Sequence, residues 1–451
     1  MRGGKFLGFG LGLVVCLLVA GGAFMMGQSR SAVDWTRIRA VAMESDDWGL
    51  PGFSPSLEAW QGIDRAALAP GHFPEVYWHS TLENAATVQA MSRLMLRYHG
   101  QDGMPAVFQP NYVTGSMEWI PGPEGGTWRQ HNWPELAMAY ARPGLLTAVN
   151  EALGAGTWYP ELHARWHYDP VMRQENSMRD ATARLAAERG ILLFPDSEKA
   201  RELGPWRSRA DLASELDASL RVFSLAFGRL PASVIAPDYT WNTSLEDLWY
   251  SRGLRVIQAK REQRNPQLGY GVPGRLKKFV GRRWSALRYP DRIFLERNVR
   301  LEPVQAPDPD AVVRLALEET RRAWSANQPA IVESHRVNFA HLDPEVSSLG
   351  INALSDYLAG VTSQSDHLPV FLTDVEISRL QARGVSWVQR GSHLILRNAT
   401  HGSRMVAIPR SVDFQGLPAT QGEGQYLFKL PALATVILTR DGEGRTCSFD
   451  R

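Results

Sequence analysis

Ile38-Arg39-Ala40-Val41-Ala42-Met43-Glu44-Ser45-Asp46-Asp47-Trp48-Gly49 is a short apolar run that ends on two adjacent carboxylates. Such a run, bounded by turn formers, predicts a buried strand. In an ideal strand Asp46 and Asp47 would point to opposite faces. Gly49, Pro51 and Gly52 signal that the chain leaves the sheet here, so both carboxylates can reach one mouth.

The same rhythm continues downstream. Ala106–Phe108 ends in Gln109-Pro110-Asn111-Tyr112, and Thr157–Leu162 leads into a histidine cluster. Ile191–Phe194, Ser233–Ala236, Arg255–Gln258, Ile293–Leu295, Ile331–Glu333 and Val370–Leu372 are further apolar runs. Between them Thr81–Tyr98, Pro134–Leu153, Pro170–Arg189, Asp211–Phe227 and Asp308–Ala326 carry helical periodicity. Strands alternating with helices predict an α/β fold with a parallel sheet. No glycine-rich phosphate loop follows any strand, which leaves a dinucleotide fold little support. Successive strands end in Asp-Asp, Asn-Tyr, His, Asp-Tyr and Ser-His; a barrel gathers all of these at one face, an open sheet only those at a switch point. The expected fold is a distorted (β/α) barrel of about seven or eight strands over 38–377. From 378 to 451 short alternating segments separated by Gly, Asn and Pro, with no helical pattern, predict a small antiparallel β-sandwich-like module.

The chain has 451 residues, 44% hydrophobic and 21% charged, with a net charge of +2. That balance fits a folded globular protein and offers no basic domain for nucleic acid. Arg2 and Lys5 precede Phe6–Met26, a stretch without charge. Residues 1–27 therefore predict a signal-anchor or signal peptide, with 28–37 as linker. The expectation is an inner-membrane anchor in a bacterial cell envelope with the barrel outside the cytoplasm, secreted if cleaved, in contact with envelope protein partners. Of the two cysteines, Cys16 falls in the apolar stretch and Cys447 near the end, so no bridge between them is expected. Arg261–Arg283, with Lys277, Lys278, Arg282 and Arg283, reads as a basic inserted loop.

His163 and His167 are four apart, which puts two imidazoles on one side of a helical turn or a tight loop. Two imidazoles and a carboxylate from the Asp46-Asp47 pair suit a divalent metal, zinc first, with cobalt, nickel and manganese as alternatives. His335, in Glu333-Ser334-His335-Arg336-Val337-Asn338, ends a late strand at the same mouth and is placed to donate a proton.

Glu44-Ser45-Asp46-Asp47-Trp48-Gly49, His163-Ala164-Arg165-Trp166-His167, Ala236-Pro237-Asp238-Tyr239 and Glu333-Ser334-His335 resemble the ordered motifs of the polysaccharide deacetylase family, a member of the wider superfamily of carbohydrate-active (β/α) barrels. The resemblance spans about 38–376. It implies Asp46 as general base, Asp47, His163 and His167 as metal ligands, and His335 as general acid. The implied reaction removes N-acetyl or O-acetyl groups from a polysaccharide. Two features depart from the family pattern. The arginine usually found before the Pro-Tyr segment is replaced by Ala236, leaving Arg165, Arg297 or Arg336 to supply the charge. The residue that orients the late histidine has no clear counterpart; Glu296, Asn298, Glu302 and Asp374 are the candidates.

Fifteen tryptophans are many for this length. Trp48, Trp78, Tyr112, Trp119, Trp166, Tyr239 and Trp241 lie near strand ends, where rings can stack on sugar faces. The expected substrate-binding set is Trp48, Tyr112, Trp166, Asp238, Tyr239, Trp241, Arg336 and Asn338, with at least three rings along one open groove. The rival readings are a glycoside hydrolase pairing Asp46 with Asp238, Glu296 or Asp374, and a non-catalytic glycan- or partner-binding barrel.

Overall fold

A computed structural model describes residues 33–451 apart from 52, 66–73, 123–125, 192–201, 205–206, 242, 261–288, 290–291, 364–366, 413–419, 423, 441–442 and 450–451. The strands up to residue 371 are β1 (Ala40–Trp48), β2 (Phe108–Val113), β3 (Gly115–Ile120), β4 (Thr127–Asn132), β5 (Glu161–Ala164), β6 (Ser233–Val234), β7 (Val256–Ala259), β8 (Ile293–Glu296), β9 (Val299–Arg300), β10 (Ala330–His335) and β11 (Val370–Phe371). All except the β3–β4 hairpin join one parallel sheet in the order β8-β7-β6-β5-β2-β1-β10-β9, with β11 against the start of β1. The sheet curls into an open, distorted barrel, as expected.

Period-2 alternation sorts the barrel's layers. Ala40, Ala42, Val256, Leu295, Ile331, Val370 and Leu372 form one apolar cluster with Ile377 and Leu380 of the helix Asp374–Arg383. This helix and the Trp35–Ile38 turn plug the floor. The alternate residues Val41, Met43, Phe108 and Val332 belong to the larger core with the surrounding helices. Above the floor the inward positions turn polar: Glu44 and Asp46 on β1, Gln109 and Asn111 on β2, Gln258 on β7 and Glu333 on β10 are all buried. Apolar packing thus fills the lower barrel, and the carboxyl ends of the strands are left for chemistry.

Helix boundaries follow their caps. Ser208 caps Arg209–Phe227 and Gly228 ends it in the left-handed region; Asp308 caps Pro309–Ser325. The single helix expected over Pro170–Arg189 is broken at Asp180, whose side chain caps a second helix, Ala181–Glu188. The expected Pro134–Leu153 helix begins only at Leu145. Pro344–Thr362 and Asp374–Arg383 are helices that the periodicity did not flag.

Beyond the barrel run β12 (Val385–Arg390), β13 (His393–Asn398), β14 (Arg404–Pro409), β15 (Thr420–Gly422), β16 (Gln425–Leu430), β17 (Ala434–Thr439) and β18 (Gly444–Ser448). They form two antiparallel sheets, β12-β13-β17-β18 and β14-β16-β15, as the alternating pattern predicts. Leu394, Leu396, Val406, Ile408, Phe428 and Leu430 make their common core. Two buried arginines tie them to the barrel. Arg390 donates to the carbonyls of Gly156, Phe371 and Pro105. Arg397 pairs with Glu376 at 2.8 Å and with Asp102.

The membrane expectation is corrected. Among the described residues no helix is long and apolar enough to cross a membrane. The Phe6–Met26 segment itself lies outside the described residues, as do Cys16 and the basic Arg261–Arg283 loop. The membrane partner and the inner-membrane placement drawn from that segment are withdrawn with it.

Arg397→Ala would leave Asp102 and Glu376 buried without their counter-charge. The expected loss is about 3–5 kcal/mol, read as a lower denaturant midpoint. A loss under about 1 kcal/mol, the size of an exposed pair, would show that the contact contributes little to holding the sheets on the barrel.

Candidate metal centre

The two aspartates reach one mouth through a local break in β1. Asp46 stays in register opposite His335 of β10. Against β2 the register shifts between Ser45 and Trp48, and Asp47 adopts φ +69°. This left-handed residue cancels the face alternation that would have sent Asp47 outward. Gly49 follows with φ +74°; a Cβ there would lie 2.6 Å from the Val113 carbonyl oxygen. Its amide donates to Glu83, which also receives Arg336.

His163 is an inward residue of β5. After Ala164, at φ +120°, the chain makes a tight loop and returns His167, at φ +70°, to the same place. The spacing of four therefore acts through a loop, not a helical turn. The Nε2 atoms of His163 and His167 lie 3.3 and 3.1 Å from Asp47 Oδ1. His163 Nδ1 lies 3.2 Å from the carbonyl oxygen of Ile235, an acceptor that places a proton on Nδ1 and turns Nε2 toward Asp47. Burial raises the Asp47 carboxyl, but the two imidazoles outweigh it and hold Asp47 well below the usual carboxylate range. One ionised carboxylate oxygen and two imidazole nitrogens, all within 4.8 Å of one another, form a cluster able to coordinate a divalent metal ion.

The loop is held by a residue absent from the sequence reading. Buried Glu202 accepts the backbone N–H groups of Arg165, Trp166 and His167 at 3.1, 2.7 and 2.8 Å. Three consecutive amides on one carboxylate fix the loop that presents His167. Burial pushes the Glu202 acid up to about 7 in spite of these donors. A lone glutamate in a polar stretch gives no local signal of this role.

Asp46 sits beside the cluster on different partners. Arg297 donates to it in two parallel bonds, Nη1 to Oδ2 and Nη2 to Oδ1, each 2.7 Å. The same guanidinium reaches Glu44 at 2.5 Å, Gln258 at 2.8 Å and the Tyr239 hydroxyl at 3.0 Å. Asn111 donates to Asp46 at 2.8 Å. Burial alone would raise Asp46, yet the Arg297 guanidinium holds it far below the usual range. The charge missing at Ala236 is thus supplied by one of the three arginines singled out, from the seam between β8 and β9.

His335 stands 3.9 Å from Asp46, Nε2 to Oδ2, and its Nδ1 meets Glu302 at 2.5 Å. Burial lowers its basicity, but the Glu302 carboxylate outweighs this and pushes His335 up to about 10. Of the four candidates to orient the late histidine, Glu302 makes the contact. Asn338 donates to Glu302 at 2.8 Å, so it supports this pair and does not face the cavity.

Asp46, Asp47, His163, His167, His335, Asp238 and Tyr239 line one cavity of about 550 Å³. The other residues expected to bind substrate are elsewhere. Trp48 is packed against Phe108, Trp158 and Phe339, and Tyr112 against Trp133 and Phe227. Trp166 and Trp241 are buried with their indole N–H groups on Glu215 and Glu246. Arg336 is buried against the Leu50 carbonyl. Trp78 packs on Trp60 and Trp119 on Trp128. The expected aromatic groove does not form, because hydrophobic burial takes most of these rings into the core. Phe53, Tyr77 and Tyr168 line the cavity instead.

No family model matches the chain, and no curated protein matches it. Among solved structures it is similar to a probable polysaccharide deacetylase from Pseudomonas aeruginosa PAO1, at 9% identity over 78% of this chain and 93% of that one, with a TM-score of 0.39. The Puue allantoinase gives 9% identity over 76% and 90%, TM-score 0.38. An alpha-amylase from Geobacillus thermoleovorans gives 11% over 89% and 98%, TM-score 0.30. At these values the likeness carries no argument about function.

Glu202→Ala is expected to weaken divalent-ion binding roughly ten- to a hundredfold in a chelator competition, the usual effect of removing support from a metal ligand. Glu202→Gln, which keeps an acceptor oxygen, should lose less. Unchanged affinity in the alanine variant would remove Glu202 from the metal centre.

Proposed function

We propose that this protein is a metal-dependent hydrolase that removes acetyl groups from a saccharide. The observation that carries the reading is the convergence on one cavity of three separately wired units: the Asp47/His163/His167 cluster, the Asp46–Arg297 pair and the His335–Glu302 pair. An isolated metal site or an isolated ion pair would need no such arrangement.

A divalent ion held by Asp47, His163 and His167, zinc being the best match to one carboxylate and two imidazoles, supplies a polarised acyl oxygen and an acidified water when bound. The protein's own residues do the rest. Asp46, whose carboxylate form is favoured by the Arg297 guanidinium and which is held by Arg297 and Asn111 in one orientation, accepts the proton of the attacking water. The water oxygen joins the acetyl carbon, and the bond from that carbon to the sugar oxygen or nitrogen breaks. His335, kept protonated by Glu302, delivers its proton to the departing atom. Acetate and a free hydroxyl or amine result.

A glycoside hydrolase needs two carboxylates flanking one bond. Of the three carboxylates that could partner Asp46, Asp374 is buried at the floor and hydrogen-bonded to Ser233 and Glu296 does not line the cavity, whereas Asp238 does. This second reading therefore keeps one pair, Asp46 with Asp238, and predicts turnover that survives chelation. A binding scaffold has no use for a base and an acid wired to separate partners.

Acetate release from acetylated oligosaccharides should be abolished by chelation and restored by Zn2+. Asp46→Asn and His335→Ala should each lower kcat by about 10²–10⁴-fold. Release that survives complete chelation overturns the reading. The pH profile tests the acid: His335 carries its proton below about 10 and loses it above, so the alkaline limb belongs to it. Glu302→Gln removes the carboxylate that raises this group, and the limb should move to lower pH. An unmoved limb would show that His335 is not the acid.

A further inference from the structure

The charged groups around the cavity are mostly matched. Asp46 has Arg297, His335 has Glu302, and Asp47 faces two imidazoles. Glu333 is paired with Lys260 and accepts from the Tyr239 hydroxyl. Asp238 acts electrostatically on His167, on the metal side. One lining charge differs. Arg300 of β9 is exposed, and among the described residues its guanidinium has neither an ion pair nor a hydrogen bond; only its backbone N–H is used, by Glu319.

Its direction follows from register. Arg300 is the parallel partner of Glu333 on β10, and paired residues in adjacent strands share a face. Glu333 points into the cavity, so Arg300 does too. Lys260, one residue past β7, carries its half-exposed ammonium over the Tyr239 ring at 4.8 Å on the same side of the mouth. Arg297 lies beneath them, its charge consumed by Glu44 and Asp46. Lys260 is matched by Glu333 and Arg297 by Glu44 and Asp46, so among the described lining residues Arg300 is the cation that offers a planar donor fork to whatever enters.

We infer that Arg300 binds an anionic group on the substrate, so that the saccharide deacetylated here is acidic and carries a carboxylate or phosphate near its acetyl group. Guanidinium forks recognise both groups through paired hydrogen bonds. The inference rests on the hydrolase reading above and specifies the substrate of that same site.

The test uses three matched N-acetylglucosamine trisaccharides: the neutral one, one oxidised to the C6 carboxylate and one phosphorylated at C6. With Zn2+-loaded protein the charged substrates should be favoured by roughly ten- to a hundredfold in kcat/KM, through KM, with the preference shrinking as salt rises. Arg300→Ala should collapse the charged-to-neutral ratio toward one, and Arg300→Lys should restore part of it. The charged trisaccharide that loses most identifies carboxylate or phosphate as the group. A wild-type ratio near one, or a ratio unchanged in Arg300→Ala, overturns the inference while acetate release still supports the hydrolase. If no trisaccharide is hydrolysed, the hydrolase reading fails. Calorimetric binding of the same three compounds then decides the inference alone: charge preference lost in Arg300→Ala supports it, and equal binding overturns it.

Discussion

Arg297 is the charge around which the upper barrel is arranged. A guanidinium without any exposed surface is tolerable only if its donors are used, and here two Nη groups grip Asp46, Nε meets Glu44, and Gln258 and Tyr239 take the remaining directions. The balance runs the other way as well. Glu44, Asp46 and Asp374 are three buried carboxylates around one cation, and burial with the nearby Asp374 pushes Glu44 well above its usual range. Asp46, with the bidentate contact, is held far below its usual range instead. The guanidinium thus selects which of several acids in one small volume most favours its ionised form, and it selects the one at the mouth.

That selection depends on where the sheet fails to close. β8 and β9 are the two edges of the curled sheet and are joined directly by Arg297 and Asn298. At an edge, a side chain can enter the interior without displacing a strand neighbour. Above the apolar floor of Ala40, Ala42, Leu295 and Ile331, Arg297 satisfies its donors among the inward polar residues of the next layer. Gln258 links that layer downward, donating to Asp374 at 2.7 Å and Ser233 at 2.8 Å.

What could be read from the residues follows the range of the forces involved. β1, the alternation of strands and helices, and the antiparallel tail are set by local periodicity, and the structure reproduces them. Asp46, Asp47, His163, His167 and His335 are legible because each lies at or just past the end of a strand, and strand ends meet in a barrel. Arg297 and Glu302 appear only as members of candidate sets, since pairing across 251 or 33 residues leaves no spacing to recognise. Glu202 leaves no trace at all, because it works through backbone amides that every residue has. The aromatic groove fails for a different reason. Rings near strand ends gain more by burial than by waiting at a surface, and Trp48, Tyr112 and Trp241 are fully enclosed.

Division of labour between Asp46 and Asp47 comes down to one backbone angle. Neighbours in sequence with the same side chain would ordinarily face opposite environments, one in the barrel and one among the helices. The left-handed turn at Asp47 keeps both at the mouth but rotates them onto different partners: Asp46 stays in the β1–β10 ladder beside Arg297, and Asp47 swings to the imidazoles. Left-handed conformations cost an L-residue energy, least for Asp and Asn. The cost is offset locally by Gly49, whose amide is anchored on Glu83, and by Arg336, which bonds the Leu50 carbonyl. Arg336, first expected to touch substrate, therefore helps hold the turn that sends two identical carboxylates to different partners.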